Sequence, residues 1–402
     1  MAKRNEEEKV LNQTKGTFRL IGKITGTERD NFFTSRILER GKMKGKEMRS
    51  LRFGVKTSNQ QTVYVQMTGY EPETVYLWNT KEKDKTKRSS KMSYDDYLDQ
   101  KEVLEEDGII TLDSTVGLTE AGKDAPRVHD TKFDNVMLAE EFLENGMTVM
   151  VTGTLGRGEY EKDGRVIQTQ NFDVQSILLY DRELDFDSPK FKESAYFTEE
   201  FVLFDTDYEK GDEHITVTGK TINYAQKTFP VSYALSWEKD LNNPFVNYES
   251  MSDEEKAEAD KEINAQIKMK QGMASAFKKV KFGSLLKIEG NIINRAVVVD
   301  EETEEDDLLA QMRGNARKVT NYISLLSIEG TDKHEPAKYT EDDFMKALEQ
   351  SELVTSDSKK DDEVEDDLGG LRGKGKSASK EFDEEAFGSD PTGDIDDSDL
   401  PF

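Results

Sequence analysis

Gly146-Met-Thr-Val-Met-Val-Thr-Gly-Thr-Leu155 and Gly283-Ser-Leu-Leu-Lys-Ile-Glu-Gly-Asn-Ile292 are one pattern written twice. Val149, Val151 and Leu155 in the first stretch align with Leu286, Ile288 and Ile292 in the second, and the glycines fall at the same spacing. Apolar residues at every second position mark a half-buried strand. A return strand follows each copy: Val166 to Tyr180 after the turn Asp163-Gly164, whose Asp-Gly pair supplies the positive φ of a tight hairpin, and Asn321 to Glu329 after the second. The chain therefore reads as an internal repeat of roughly 140 to 165 residues.

Strand patterning extends upstream of each copy. Phe18, Leu20 and Ile24 alternate with Arg19 and Lys23; Leu51, Phe53 and Val55 alternate with Arg52 and Lys56; Val63, Val65 and Met67 alternate with Tyr64 and Gln66. In the second half Ile215 to Ile222 parallels Leu20 to Ile24, and Phe229 to Trp237 alternates strongly. A short helix is expected over Ala139 to Asn145 with Gly146 as its C-cap, and a longer one over 252–280, opened by the capping box Ser252-Asp-Glu-Glu255. Three strands, a helix and two strands is the order of an OB barrel. The expected fold is mainly β: two tandem OB-type, five-stranded Greek-key barrels with helical insertions. Two unrelated β domains are the alternative.

The expected boundaries are a flexible N-terminus over 1–15, a first barrel over 16–181, a linker over 182–195 and a second barrel over 196–335. A C-terminal helix over 336–354 is capped by Thr340 with Asp343. Residues 70–137 look irregular and polar, a long and partly mobile insertion. Beyond Thr355 the chain is mostly Asp, Glu, Lys, Gly and Ser, too polar to bury a core, and is expected to be a disordered acidic tail.

The formal net charge of −27 argues against a nucleic-acid partner until its distribution is read. From Arg36 to Lys56 eight basic residues stand against Glu39 and Glu47, whereas Glu381 to Phe402 holds nine acidic residues and no basic one. The chain is bipolar, so its total charge says little about partners. There are no cysteines, which excludes disulfides and thiolate chemistry. The sequence has neither an apolar run of membrane-spanning length nor an apolar leader at Met1, and the expected location is the cytoplasm, the bacterial host's if the chain is phage-encoded.

Two segments resemble the bacterial and bacteriophage single-stranded DNA-binding protein family. One is Gly146 to Ile177, with its Gly-x-x-Val-x-Val-x-Gly-x-Leu run and Tyr160-Glu-Lys-Asp-Gly hairpin, together with Phe18 to Thr25 as a first strand. The other is Asp394-Ile-Asp-Asp-Ser-Asp-Leu-Pro-Phe402. The resemblance covers about a third of the chain. It implies sequence-tolerant binding of single strands during replication, recombination and repair. It also implies an acidic tip in which Asp396, Asp397, Asp399, Leu400, Pro401 and Phe402 recruit replication or repair proteins, of the polymerase, helicase, primase or recombinase class. The chain departs from the family in the 70–137 insertion, the second β domain and Leu400 where Ile is usual, which implies a large phage-type variant.

Single-strand binding needs cations for phosphates and aromatic faces for bases. Arg19, Lys23, Arg52, Lys56 and Tyr64 lie opposite the expected core. Phe32 and Phe33, Tyr76 and Trp78 beside a second basic cluster, and Tyr160 at the hairpin are further stacking candidates; Arg36, Arg40, Lys42, Lys44, Lys46 and Arg49 are candidate phosphate contacts. Each has a bland reading as core or solvated surface. Tyr233 and Trp237 share parity with Val231 and Leu235 and are expected to be buried, with Tyr224 and Lys220 as weaker DNA candidates. No enzyme signature is present: His129, His214 and His334 are scattered, no phosphate loop occurs, and no metal or cofactor is implied. The competing function is an acidic scaffold or recombination mediator with weak DNA affinity. Homo-oligomerisation is left open.

Overall fold

The structure, a computed structural model, describes residues 10–39, 43–118, 126–162, 165–208, 211–239, 241–300 and 318–348. It is mainly β and divides into two units. Among the described residues the first is built from Thr17–Val55 and Tyr64–Leu184, the second from Lys56–Val63 and 185–348, with residues 10–16 of the N-terminal arm.

In the first unit five strands close a ring. These are β1 (Gly16–Thr25), β3 (Glu47–Lys56), β4 (Thr62–Tyr70), β10 (Thr148–Lys162) and β11 (Arg165–Leu179). β1 pairs antiparallel with β10, β10 with β11, β11 runs parallel to β4, and β3 pairs with both β4 and β1. The outer strand β2 (Phe33–Ile37) pairs with β3. Leu20, Ile24, Leu51, Phe53, Val55, Val65, Met67, Val149, Val151, Val174 and Ile177 are buried, so each alternation read from the sequence turns its apolar side inward.

The second unit repeats the circuit with β12 (Ser194–Asp207), β13 (His214–Ile222), β14 (Thr228–Ser236), β15 (Leu285–Asp300) and β16 (Lys318–Glu335). β12 pairs antiparallel with β13 and β15, β13 with β14, β15 with β16, and β16 runs parallel to β14. The paired glycines explain the repeat. Phe18 faces Gly153 across β1–β10 and Phe197 faces Gly290 across β12–β15. A Cβ on Gly153 would lie 2.8 Å from the Phe18 ring, and one on Gly290 2.8 Å from the Phe197 ring. This equivalence corrects one alignment: β12 is the counterpart of β1, so Ile215 to Ile222 corresponds to β3. Shared Gly-Lys composition misled the sequence reading, because neighbouring strands of one barrel satisfy the same alternation.

Other boundaries move for physical reasons. The first unit's helix is α2 (Lys132–Phe142), seven residues earlier than expected. Thr131 caps it by accepting from the Asp134 amide, and Gly146, at φ 87°, turns the chain into β10 rather than capping the helix. The helix of 252–280 is α3 (Asp253–Phe277), with the Ser252–Glu255 capping box in place. A last helix covers 341–348, where Thr340 and Asp343 bond each other's backbone amides.

The 70–137 region is not irregular. β5 (Thr74–Asn79), β6 (Ser89–Ser93) and β7 (Ile109–Thr111) form a separate small sheet covered by α1 (Tyr94–Glu106), with Val75, Leu77 and Tyr97 as its core. β8 (Ser114–Gly117) pairs antiparallel with β9 (Val128–Asp130) and joins β11 in parallel register. Apart from β5, these strands are only three to five residues long, and so short a run carries little alternation.

The described part of the expected flexible N-terminus, residues 10–15, and the expected linker of 182–195 are both packed. Leu11 is fully buried with Val202, Ile222, Leu285, Tyr339 and Phe344, and the Thr14 amide bonds the Ile222 carbonyl at 2.9 Å. In the 182–195 segment Phe186 is buried against Phe191, and Asn247 bonds the carbonyls of Phe186 and Ser188. The acidic tail lies outside the described residues. Among those described, no helix is long and apolar enough to cross a membrane.

Candidate nucleic-acid interface

The outward faces of β3 and β4 form the floor of a cleft. Inward burial of Leu51, Phe53 and Val55 leaves Arg52 exposed on β3, and burial of Val63, Val65 and Met67 leaves Tyr64 54% exposed on β4. The loop after β1 makes one wall. Gly26 turns it at φ 87°, a bond from Phe32 N to Arg29 O (2.9 Å) closes it on itself, and it folds back on β3 through Arg52 N to Phe32 O (2.8 Å). Phe32 is the buried anchor of that loop, which sets Arg29 over the Tyr64 ring, 5.3 Å from its centroid, with Nη2 donating to the tyrosine hydroxyl at 3.4 Å. That bond raises the Arg29 pKa above its ordinary value.

The opposite wall comes from the β10–β11 hairpin. Gln170 accepts from Arg157, and Phe172 packs edge-on against Phe18 at 5.3 Å. Arg29, Asn31, Arg52, Phe53, Tyr64, Val65, Gln66, Gln170, Asn171 and Phe172 line an open cleft of about 320 Å³. Its lining holds two guanidinium groups, four amide side chains and exposed aromatic surface, and no carboxylate. In a chain of net charge −27 this is a local exception. Guanidinium groups suit phosphates, a ring face suits bases, and amides bond base edges without demanding one base.

Of the expected site residues, only Arg52 and Tyr64 line the cleft. Phe32 is buried and unavailable for stacking, because its ring holds the loop down; Phe33 begins β2, half-buried opposite Leu51. Arg49 forms a two-bond ion pair with Glu47 and lies 3.7 Å over the Phe133 ring, clamping α2 to β3 rather than facing a ligand. Arg19 and Lys23 are half-buried on β1, each engaged by neighbours. Arg36 and Lys44 are exposed on and after β2, and Lys46 pairs with Glu73 at 3.9 Å. Lys56 belongs to the second unit, 5.9 Å from the Phe186 ring. Trp78 lies on the small sheet under Arg88. Tyr160 is on β10 opposite Ile167; its side chain, Arg40, Lys42, and the tip residues Asp396, Asp397, Asp399, Leu400, Pro401 and Phe402 lie outside the described residues.

Arg29, Asn31, Gln66, Gln170, Asn171 and Phe172 were missed. Gln66 shares the outward parity of Tyr64 on β4; for the other five the sequence signal was position, in the loop after strand one and the hairpin between strands four and five, the loops through which OB barrels hold oligonucleotides.

The second barrel lacks this surface. The bridges Gln66↔Asp173 and Ala234↔Ser327 superpose β4 on β14, which puts Ser232 at the place of Tyr64 and Ala234 at that of Gln66. Tyr233 is buried, as its parity predicted, and its hydroxyl donates to Glu199 at 2.8 Å. Trp237 is half-buried beside Tyr208. Lys220 lies over the rings of Phe204 and Phe344, and Tyr224 is 38% exposed. No cluster of His, Asp and Glu able to hold a metal occurs among the described residues.

No curated protein matches the chain. Among solved structures it is similar to the single-stranded DNA binding protein from Thermus aquaticus, at 10% identity over 82% of this chain and 98% of that one, with a TM-score of 0.33. A deletion mutant of the same Thermus aquaticus protein matches at 11% identity over 81% and 99%, again at 0.33. The protein-family model described as YorF matches residues 127–361. That span runs from β9 across the β10–β11 hairpin and the whole second barrel and exceeds half of the chain, and the chain belongs to the YorF family.

Proposed function

We propose that this protein binds single-stranded DNA without sequence choice, through the cleft on its first barrel, and protects it during replication, recombination and repair. The observation that carries the reading is a carboxylate-free lining of Arg29, Arg52, Tyr64 and four amides in a strongly acidic chain. The first barrel is the dominant binding unit, since Ser232 and Ala234 give the second barrel neither ring nor amide at the corresponding places. The role is binding rather than catalysis.

Titration with labelled poly-dT and with duplex at two salt concentrations tests this. Single strands should bind much more tightly, and affinity should fall steeply with salt as phosphate neutralisation releases counterions. Equal affinity for duplex, or a flat salt response, rejects the cleft as a single-strand site and favours the scaffold reading.

The Asp394–Phe402 segment is the proposed recruiting tip for replication and repair proteins, with Phe402 as an apolar anchor and Asp396, Asp397 and Asp399 steering a basic partner. Clipping it should remove partners from a host-extract pull-down while DNA affinity stays level or rises slightly. Identical partner lists for clipped and intact protein would reduce the segment to a solubility device.

A further inference from the structure

We propose that the outer face of the small sheet β5–β6–β7 is a second contact surface for single-stranded nucleic acid. Tyr76 and Trp78 would stack on bases, and Lys83, Lys85 and Lys91 would meet phosphates. The inference extends the proposed single-strand binding to a surface outside the barrel cleft.

Val75 and Leu77 are buried with Tyr97 under α1, so the alternation of β5 turns Thr74, Tyr76 and Trp78 to the other side. Tyr76 is 45% exposed there. It and Trp78 stand two residues apart on one face, about 6.6 Å along the strand, as neighbouring platforms. Pairing places Lys91 opposite Tyr76 and Ser89 opposite Trp78, and the Arg88 guanidinium sits 5.6 Å from the Trp78 ring centroid.

Between Lys81 and Lys91 six basic residues stand against Glu82 and Asp84. Lys87 faces Asp84 at 3.4 Å, Lys81 donates to the Glu106 carbonyl at 2.9 Å, and Arg88 donates to the Glu82 carbonyl at 2.7 Å. Lys83, Lys85 and Lys91 have no carboxylate in ion-pair reach among the described residues. Lys91 stands opposite Tyr76, and Lys83 and Lys85 lie in the β5–β6 connection that follows Trp78; cations and rings on one hairpin match a chain of alternating phosphates and bases.

The sheet is also fixed in place. The Tyr97 hydroxyl donates to buried Asp130 at 2.8 Å, Lys101 forms an ion pair with the same carboxylate, and the Tyr94 hydroxyl donates to Asp134 at 2.7 Å. These bonds tie α1 to β9 and α2, and β8 continues the tie into the barrel through β11. A strand held by this surface is therefore held at a set position relative to the barrel.

The chain has two tryptophans, Trp78 and Trp237, so Trp237→Phe makes Trp78 the sole indole. That variant of the full chain is titrated with labelled oligothymidine of about 8 nucleotides, within the reach of one OB barrel, and of about 30. The long oligomer should quench Trp78 emission as anisotropy reports binding, and the short one should bind with little quenching. Trp78→Phe in the otherwise unchanged chain should lose the quench, which covers any folding defect of the first variant. Changing Lys83, Lys85 and Lys91 together to Ala should lower the log–log salt slope for the long oligomer by about 2 and leave the short one unchanged. Binding of the long oligomer with unaltered Trp78 emission and slope overturns the proposal while the barrel reading stands. Quenching that persists when Tyr64→Ala has no effect upholds this surface and rejects the cleft. If neither oligomer binds, both readings fall. A triple-lysine variant that alters sedimentation and not the slope would assign the face to a protein contact, against the proposal.

Discussion

Tyr64→Ala in the intact chain is expected to weaken oligo-dT binding by about 1–3 kcal/mol, the range for loss of one base–aromatic stack. That is roughly five- to 150-fold in Kd. The side chain is 54% exposed on the outward side of β4, so the fold should be unaffected and circular dichroism should not change. Tyr64→Phe keeps the ring and loses the hydroxyl that Arg29 contacts at 3.4 Å; it should retain most of the affinity. Arg52→Glu tests the electrostatic half of the same cleft. It should reduce the salt slope by about 0.7 for the lost phosphate contact and add repulsion, so binding at low salt suffers most. Ser232→Ala, at the matching place on the second barrel, should change nothing. Unchanged affinity for Tyr64→Ala, or a loss for Ser232→Ala equal to it, would show that the DNA path lies elsewhere.

Gly290→Ala should produce a large loss of stability in the second unit. Its Cβ would lie 1.9 Å from the Ser327 carbonyl oxygen and 2.8 Å from the Phe197 ring, so a backbone atom has to move. The register of β15 with both β12 and β16 passes through this residue, leaving little freedom to relax. Overpacking usually costs about 1–3 kcal/mol and sometimes more; with backbone as the obstacle we expect at least about 3. For a domain of this size that lowers the unfolding midpoint by on the order of 10 °C. Gly272→Ala is the control. It sits exposed in α3 with nothing within 4 Å of its Cβ, and removing a helical glycine should stabilise by about 1 kcal/mol. Thermal unfolding of both variants settles the matter. A Gly290→Ala protein as stable as the parent would mean that this glycine is not required by the crossing of Phe197.

The second barrel also shows how far a local pattern carries. Its α3 was legible to within a few residues, because the Ser252–Glu255 capping box is a contiguous signal whose bonds close inside one turn. α2 starts earlier than its sequence signal because its cap, Thr131 with Asp134, is polar chain within a polar region, whereas Gly146 stands out as a helix terminator. The 74–111 sheet has a weak sequence signal because its strands bury few residues: Val75 and Leu77 on β5, Thr111 on β7 and none on β6.

The sequence by itself determined which side of the barrel strands with a clear alternation faces inward, and that the chain repeats itself. Alternation at Leu51, Phe53 and Val55 or at Val63, Val65 and Met67 is a strictly local consequence of burying one face of a strand, and the paired glycines at 153 and 290 mark the place where a phenylalanine crosses. Tertiary structure alone decided which outward residues meet. Ring closure brings Gln170, Asn171 and Phe172 beside Arg52 and Tyr64 across more than a hundred residues of chain. It also takes Phe32 into the core, commits Arg49 to Glu47 and Phe133, and places Lys56 in the other unit. A basic or aromatic residue looks the same in sequence whether it faces a ligand or a neighbour. Only the closed barrel supplies the neighbour, because strand order and register bring together groups that no local period relates.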